Sequence, residues 1–431
     1  MRKFFLLAFT AVALVSSAQN MPSNYTTLVN DEVPKVVDWR RHFHENPELS
    51  NREFKTSAYI ADFLRGLGLE VKTGVAKTGI VAILKGGKPG PVIALRADMD
   101  ALPVEERNDL PFKSHAKGIY YGDTVPVMHA CGHDSHMAIL MGTAEVLSKM
   151  KKDLPATIVF LFQPAEEGAP VGEEGGAELM VKEGALENPK VEVAFGLHIK
   201  SEVEVGTIAY RPAGFMAGVQ DYKMVIKGKQ AHGAYPWQSV DPIVTASEIV
   251  LALQTVVSRN LKIVDNPGVV TVGAIHGGVR NNIIPEQVEM IGTVRTFTKA
   301  DQDLFRTRIR TIAEKIAEAN NATAELTMPY NVNYPVTFND TSLTNKMLPS
   351  LQKASNGKAF YYPPVTGAED FSFFQQKVPG LFFFLGGMPK GMDPAKASSH
   401  HTPDFYIDES GFDLGIKAFC QLVFDYAGLK K

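Results

Sequence analysis

Two periodicities divide this chain. The stretches "GIVAILKGG", "PVIALRADMD", "ATIVFLFQPAEE" and "VEVAFGLHI" are short, nearly continuous apolar runs that end in polar residues. That pattern predicts strands buried on both faces. Between them, "SHMAILMGTAEVLSKM" and "GGAELMVKEGAL" carry apolar residues at helical spacing, and residues 33–65 read as helix broken at Pro47. Strand and helix alternate, so the pattern predicts an α/β domain with a mostly parallel sheet.

From about Pro212 the pattern changes. "VQDYKMVIKGKQ" alternates as a half-exposed strand does, and "DPIVTASEIVLALQTVVSR" is an amphipathic helix. The strands "GVVTVGAIHGG" and "QVEMIGTVRTF" follow, then the helix "QDLFRTRIRTIAEKIAEAN" and the strand "ATAELTMPY". The order β-α-β-β-α-β is that of a ferredoxin-like α+β unit. The buried run "LFFFLGG" then resumes the first pattern. The reading is one catalytic domain, residues 19–211 and 329–431, interrupted by a smaller domain, residues 212–328.

A length of 431 residues fits this division, because a single core rarely grows so large. The net charge of −3, with no basic block, argues against nucleic acid as a partner. The start of the chain adds an address. Arg2 and Lys3, the apolar run from Phe4 to Val15, and Ser16-Ser17-Ala18 form a secretory signal peptide, residues 1–18. The run is shorter than the ~20 apolar residues a spanning helix needs. The expectation is a secreted or periplasmic protein with no stable membrane insertion after cleavage.

The polar residues fall where an open α/β sheet builds its site, at the carboxyl ends of its strands. Asp98 and Asp100 follow "VIAL", Glu166 and Glu167 follow "TIVFLFQPA", and His198 follows "VAFGL". Cys131, His133, Asp134 and His136 stand at the start of a helix, and "SSHHTPDF" adds His400 and His401. Of the two cysteines, Cys420 sits at helical spacing among apolar residues and reads as core; Cys131, set between histidines, does not. Thiolate, imidazole and carboxylate together suit divalent ions such as Zn²⁺, Mn²⁺, Co²⁺ or Ni²⁺. Taken singly each residue has a plainer reading: a lone histidine is more often structural, "AEE" suits a solvated turn, and Asp98 suits a helix cap.

In chain order, "RADMDALP", "HACGHDSHMA", "QPAEEG", "GLH", "GGVRNNIIPE", "GTVRTF", "AEDFS" and "HHTPDF" resemble the dinuclear metal amidohydrolases. That family includes hippurate hydrolases, N-acyl-amino-acid amidohydrolases and auxin-conjugate hydrolases, and is related to the aminoacylases and glutamate carboxypeptidases. The resemblance runs from about residue 33 onward. It implies a metallopeptidase-like catalytic domain with an inserted lid and dimerisation domain. It also implies two divalent metal ions per subunit, Mn²⁺ or Zn²⁺, with Ni²⁺ or Co²⁺ as alternatives. Cys131, His133, Glu167, His198 and His401 match the ligands, and His400 is passed over. Where the wider family has His-x-Asp, this chain has Arg96-Ala97-Asp98. Arg96 is then no ligand, and Asp98 becomes a carboxylate behind the metals that orients a ligand histidine. The resemblance also suggests that Cys131 stands for a bridging aspartate.

The same resemblance makes Glu166 the general base. His232, in "GKQAHGAYP", becomes the lid histidine that stabilises the oxyanion, and Asn282 and Arg295 bind the substrate carboxylate. It implies hydrolysis of small N-acyl amino acids by a homodimer joined through the inserted domain. A dipeptidase or carboxypeptidase is the nearest alternative, and an inactive binding protein on the same scaffold is a more distant one. Retention of Glu166 weighs against the inactive scaffold.

Overall fold

The structure is a computed structural model that describes residues 21–429; the signal peptide read at residues 1–18 lies outside them. The main sheet begins with β1 (Glu70–Val75), β2 (Gly79–Lys85), β3 (Val92–Asp98), β4 (Thr157–Gln163), β5 (Val193–Glu204) and β6 (Ile208–Tyr210). A second sheet takes β7 (Gly218–Lys227), β8 (Val269–Gly277), β9 (Gln287–Thr296) and β10 (Thr323–Thr327). The chain then returns to the first sheet with β11 (Ala359–Tyr361) and β12 (Gly380–Met388).

The eight strands of the main sheet run in the order β1-β2-β4-β3-β5-β12-β6-β11. Its interior, β4-β3-β5-β12, is parallel, as the continuous apolar runs predict. The pairings β1–β2, β2–β4 and β12–β6 are antiparallel. Both faces are covered. Ile93, Leu95 and Ala97 pack into a core shared with the helices Tyr25–Glu45, His133–Lys149 and Phe412–Leu429, whereas Ala94 faces a second core containing Met180, Phe371 and Phe374. Burial on both faces removes the polar half of the strand alternation.

The helical reading of residues 33–65 resolves into two helices, Tyr25–Glu45 and Phe54–Gly66. The first starts earlier than predicted and continues through Pro34. Its buried Val29, Val36 and Phe43 recur every seventh position and hold one face against the core.

The inserted sheet is antiparallel with order β8-β9-β7-β10, and β7 pairs with β9 from Gly218–Thr296 to Lys227–Gln287. The helices Pro242–Thr255 and Lys299–Ala319 close its core. This is the ferredoxin-like unit expected from the β-α-β-β-α-β order. The two connections between domains are paired to each other, Ala213–Met216 with Thr337–Asn339. Beside them, Asn333–Tyr334 bonds to β7, which leaves Tyr334 between the two domains. No helix among the described residues is long and apolar enough to cross a membrane.

Candidate metal centre and active site

Strand ends and one tight turn assemble the site. β3 delivers Asp98 and then Asp100, β4 leads into Glu166 and Glu167, and β5 carries His198. Cys131 and Gly132 turn the chain into the helix that starts at His133. Gly132 has φ +104°, and a Cβ there would lie 2.4 Å from Ile199 Cγ2. Only glycine lets the chain pass β5 so closely. His401 reaches in from the far end of the sequence, tied by its N–H to the Ala130 carbonyl at 2.8 Å.

The predicted ligand atoms face one another. Cys131 Sγ lies 3.3 Å from His198 Nε2 and 3.3 Å from His401 Nε2. His401 Nε2 is 3.1 Å from Glu167 Oε1, and His133 Nε2 is 3.9 Å from the same oxygen. Hydrogen bonds fix two of the rings. His133 Nδ1 meets the Asp100 carbonyl at 2.8 Å, and His198 Nδ1 meets the Ile199 carbonyl at 2.6 Å. Donation from Nδ1 leaves Nε2 of the neutral His198 ring as a free lone pair, and does the same for His133 once its ring is neutral. His133 Nε2 and Glu167 Oε1 are buried without a hydrogen-bond partner, as atoms reserved for a cation would be.

The field in the pocket favours positive charge. Burial, then the Glu167 and Glu166 carboxylates, push the Cys131 thiol well above its usual range, so its thiolate form requires a cation beside it. Burial works against protonation of His133, yet Asp98 and Asp100 raise it to about 10. Burial holds His198 neutral. The donor set of one thiol, three imidazoles and a carboxylate fits divalent metal.

His400 lies near Cys131 but is committed elsewhere. Its Nδ1 donates to the Cys131 carbonyl at 3.1 Å, and its Nε2 accepts the Ser201 N–H at 3.2 Å. Asp98 does not bond a predicted ligand ring. Its oxygens meet His136 Nδ1 and Arg96 Nη1, each at 2.6 Å, and His133 Nε2 is 3.7 Å away. His136 in turn accepts the Ile199 N–H at 2.8 Å, so the hydrogen bonds of Asp98 lead to the backbone beside His198, and it acts on the ligand ring of His133 through charge alone. The Asp100 carbonyl is what orients His133.

Glu166 stands at the edge of the cluster, its Oε2 3.8 Å from His133 Nε2. Burial, then the Glu369 and Glu167 carboxylates, raise its proton affinity well above the usual range. Its N–H and that of Glu167 are held by the two Asp100 oxygens at 3.0 and 3.1 Å, and Tyr334 donates its hydroxyl to the Glu166 carbonyl at 3.0 Å. The sequence pattern assigns no role to Asp100, Tyr334, Glu369 or Asp370. The acids of "RADMD" and "AEDFS" are the available signal for three of them; nothing local marks Tyr334.

A cavity of about 510 Å³ joins Cys131, Glu166, His198 and His401 to Arg295 of the inserted domain. Arg295 Nη1 is buried without a partner. His232 and Asn282 do not line this cavity. Both are exposed and sit together on a small ribbon, where His232 pairs with Ile283 and Gly233 N–H bonds the Asn282 carbonyl at 2.8 Å. His232 Nδ1 accepts the Ala234 N–H at 3.0 Å, which assigns the ring proton to Nε2 as a donor.

Known proteins share this arrangement of elements. The model of peptidase family M20/M25/M40 matches residues 94–425. Thermostable carboxypeptidase 2 of Saccharolobus solfataricus is 39% identical over 93% of this chain and 98% of that protein. An N-acetyl-L-cysteine deacetylase of Bacillus subtilis is 37% identical over 92% and 88%. Among solved structures, a dinuclear metal-binding M20 peptidase of Bacillus subtilis superimposes with a TM-score of 0.76 at 33% identity, over 92% of this chain and 99% of that one.

Proposed function

We propose that this chain, which belongs to peptidase family M20/M25/M40, hydrolyses the amide bond of N-acyl amino acids, with Glu166 as general base at a pair of divalent ions. The observation that carries this is the convergence of Cys131 Sγ, His198 Nε2, His401 Nε2 and Glu167 Oε1 beside an unpartnered His133 Nε2. These five residues would hold the metals. Divalent ions so held supply Lewis acidity toward an amide carbonyl and the attacking water.

The chain's own groups divide the remaining work. Glu166 takes the water's proton and delivers it to the leaving nitrogen. Arg295, whose unpartnered nitrogen borders the same cavity, receives the substrate's carboxylate. Asn282 assists at that end, and His232 donates Nε2–H to the oxyanion.

His232 and Asn282 are exposed within one chain, so in this reading they serve the site of a second subunit. The inserted domain supports a homodimer: its edge strand β8 presents an open side, and Ile243, Leu251 and Ile275 are 44%, 73% and 54% exposed. Residues 1–18 support export to the periplasm or beyond, which N-terminal sequencing of the mature protein tests.

The carboxypeptidase name of a 39% identical relative supports peptide hydrolysis as the second reading. A panel of N-acetyl-, N-benzoyl- and dipeptide substrates, with Mn²⁺ or Zn²⁺ added and a chelator control, separates the two. The expected result is metal-dependent release of amino acid, faster from N-acyl amino acids than from dipeptides. Faster dipeptide cleavage selects the second reading, and full activity in metal-free protein overturns both.

A further inference from the structure

Arg295 and Tyr334 stand in one row of the inserted sheet. Tyr334 pairs with Val219 of β7, and Val219 pairs in turn with Arg295 of β9. Residues directly opposite in antiparallel strands project from the same face, and all three line the cavity that holds Cys131 and Glu166. Two strand spacings, about 10 Å, separate the ends of the row.

The segment that carries Tyr334 is bound to β7. Asp221 Oδ1 accepts the N–H groups of Tyr330, Asn331 and Val332 at 3.1, 2.8 and 2.8 Å. The Asp221 N–H meets the Val332 carbonyl at 3.2 Å, and Gln220 Nε2 donates to Asn333 Oδ1 at 2.7 Å. By Thr337 the chain is bonded to the other domain, where the Thr337 hydroxyl donates to the Glu369 carbonyl at 3.1 Å. Tyr334 crosses that boundary with its side chain. Its backbone stays on the inserted sheet, its ring lies edge-on to Phe373 with centroids 6.0 Å apart, and its hydroxyl donates to the Glu166 carbonyl at 3.0 Å.

The peptide that receives this bond joins the proposed base, Glu166, to the proposed ligand Glu167. Its oxygen accepts from Tyr334, and its N–H, that of Glu167, is held by Asp100 at 3.1 Å. Just ahead, Ala165 has φ +51°, a left-handed conformation that a residue with a Cβ keeps only where its surroundings hold it. Burial, then the Asp370 and Glu166 carboxylates, raise the Tyr334 hydroxyl well above its usual range, so it stays a donor.

We infer that Tyr334 is a positioning residue that ties the two ends of the substrate together: a carboxylate seated on Arg295 fixes the inserted sheet, and Tyr334 passes that position to the peptide between Glu166 and Glu167. The inference rests on the roles proposed above for Arg295 and Glu166. Tyr334→Phe keeps the ring against Phe373 and deletes only the hydroxyl. On metal-loaded protein with N-acetylglycine it should lower kcat about tenfold, the equivalent of one hydrogen bond at the strong end of its range, with KM and metal content unchanged. In an Arg295→Met background no anchored carboxylate remains to be relayed, so the same change should lower kcat/KM less than about twofold. An unchanged kcat overturns the inference. So do equal losses in both backgrounds, which a tyrosine serving stability alone would give.

A readout without turnover keeps this apart from the proposed reaction. Hydrogen exchange of residues 165–168 is followed in Glu166→Gln protein with N-acetylglycine, and with N-acetylglycinamide, which lacks the carboxylate. N-acetylglycine should slow the exchange, N-acetylglycinamide should not, and adding Tyr334→Phe should abolish the slowing. If the wild type cleaves no N-acyl amino acid, the proposed reaction fails and exchange alone decides. Absence of carboxylate-dependent slowing, or its survival in the Tyr334→Phe variant, then overturns the inference.

Discussion

Arg96 and Glu369 stand 273 positions apart in the chain and meet at 2.8 Å with both side chains buried. The same guanidinium bonds Asp98 at 2.6 Å, Asp370 at 3.1 Å and Gln163 at 2.8 Å. One cation thus compensates three buried carboxylates beneath Glu166. Burial and the neighbouring Glu369 already raise Asp370 to about 8, against the pull of Arg96.

Removing that cation leaves the acids uncompensated. Arg96→Met should cost ~3–5 kcal/mol of stability, the penalty of breaking a buried ion pair from one side. Urea titration would read it as a lower midpoint, and the deficit should shrink as pH falls and the carboxylates take up protons. A loss under ~1 kcal/mol at neutral pH would contradict the assignment of Arg96 as their counter-ion.

Part of this arrangement is legible in the amino-acid sequence. β3, β4, β5 and β12 stand out because burial on both faces leaves unbroken apolar runs, and the acids and histidines at their ends stand out by residue type. Pairing is not legible: the antiparallel flank β1–β2–β4 and the short β6–β11 pair depend on contacts that no local period encodes. The Arg96 network is hidden for the same reason, since Glu369 and Asp370 join it from another part of the chain. The motifs supply candidates in the inserted domain, but only geometry separates Arg295, at the cavity, from His232 and Asn282, away from it.

Glu53 offers a pH-dependent test. It is buried, accepts the Ala165 N–H at 2.9 Å and the Thr78 hydroxyl at 2.5 Å, and so steadies the turn before Glu166. Burial, then the Asp100 charge, raise it from 4.5 to about 8. Between those values the folded state holds a proton that the unfolded chain has released, so this group makes stability fall as pH rises. One such proton is worth up to about 1.4 kcal/mol per pH unit. Glu53→Gln copies the protonated form, so its stability should fall less steeply than that of the wild type from roughly pH 5 to roughly pH 8. Chemical denaturation across that range reads the difference. Parallel curves would show that Glu53 does not titrate in this window.

Glu166 and Glu167 are adjacent but are proposed to do different work. Glu166→Gln keeps the shape and removes the base, so kcat should fall by ~10²–10⁴. Elemental analysis should find the metal content unchanged. A variant that loses metal would instead make Glu166 a ligand.

His232 carries the last prediction. Its Nδ1 is occupied by the Ala234 N–H, which leaves Nε2–H of the exposed ring as the donor, and its ribbon does not line the cavity that holds Cys131 and Arg295. A histidine so placed completes a site only after domain closure or from a second subunit. His232→Ala should lower kcat by ~10²–10³, as loss of one oxyanion donor does, with metal content intact. Mixing the His232→Ala and Glu166→Gln proteins then separates the two routes. In a hybrid dimer with contribution across the interface, one site pairs an intact Glu166 with an intact His232, and activity returns. With contribution inside one chain, every site carries one of the two lesions and the mixture stays inactive. Native mass spectrometry of differently tagged subunits establishes that exchange has occurred, so an inactive mixture of proven hybrids would assign His232 to its own chain.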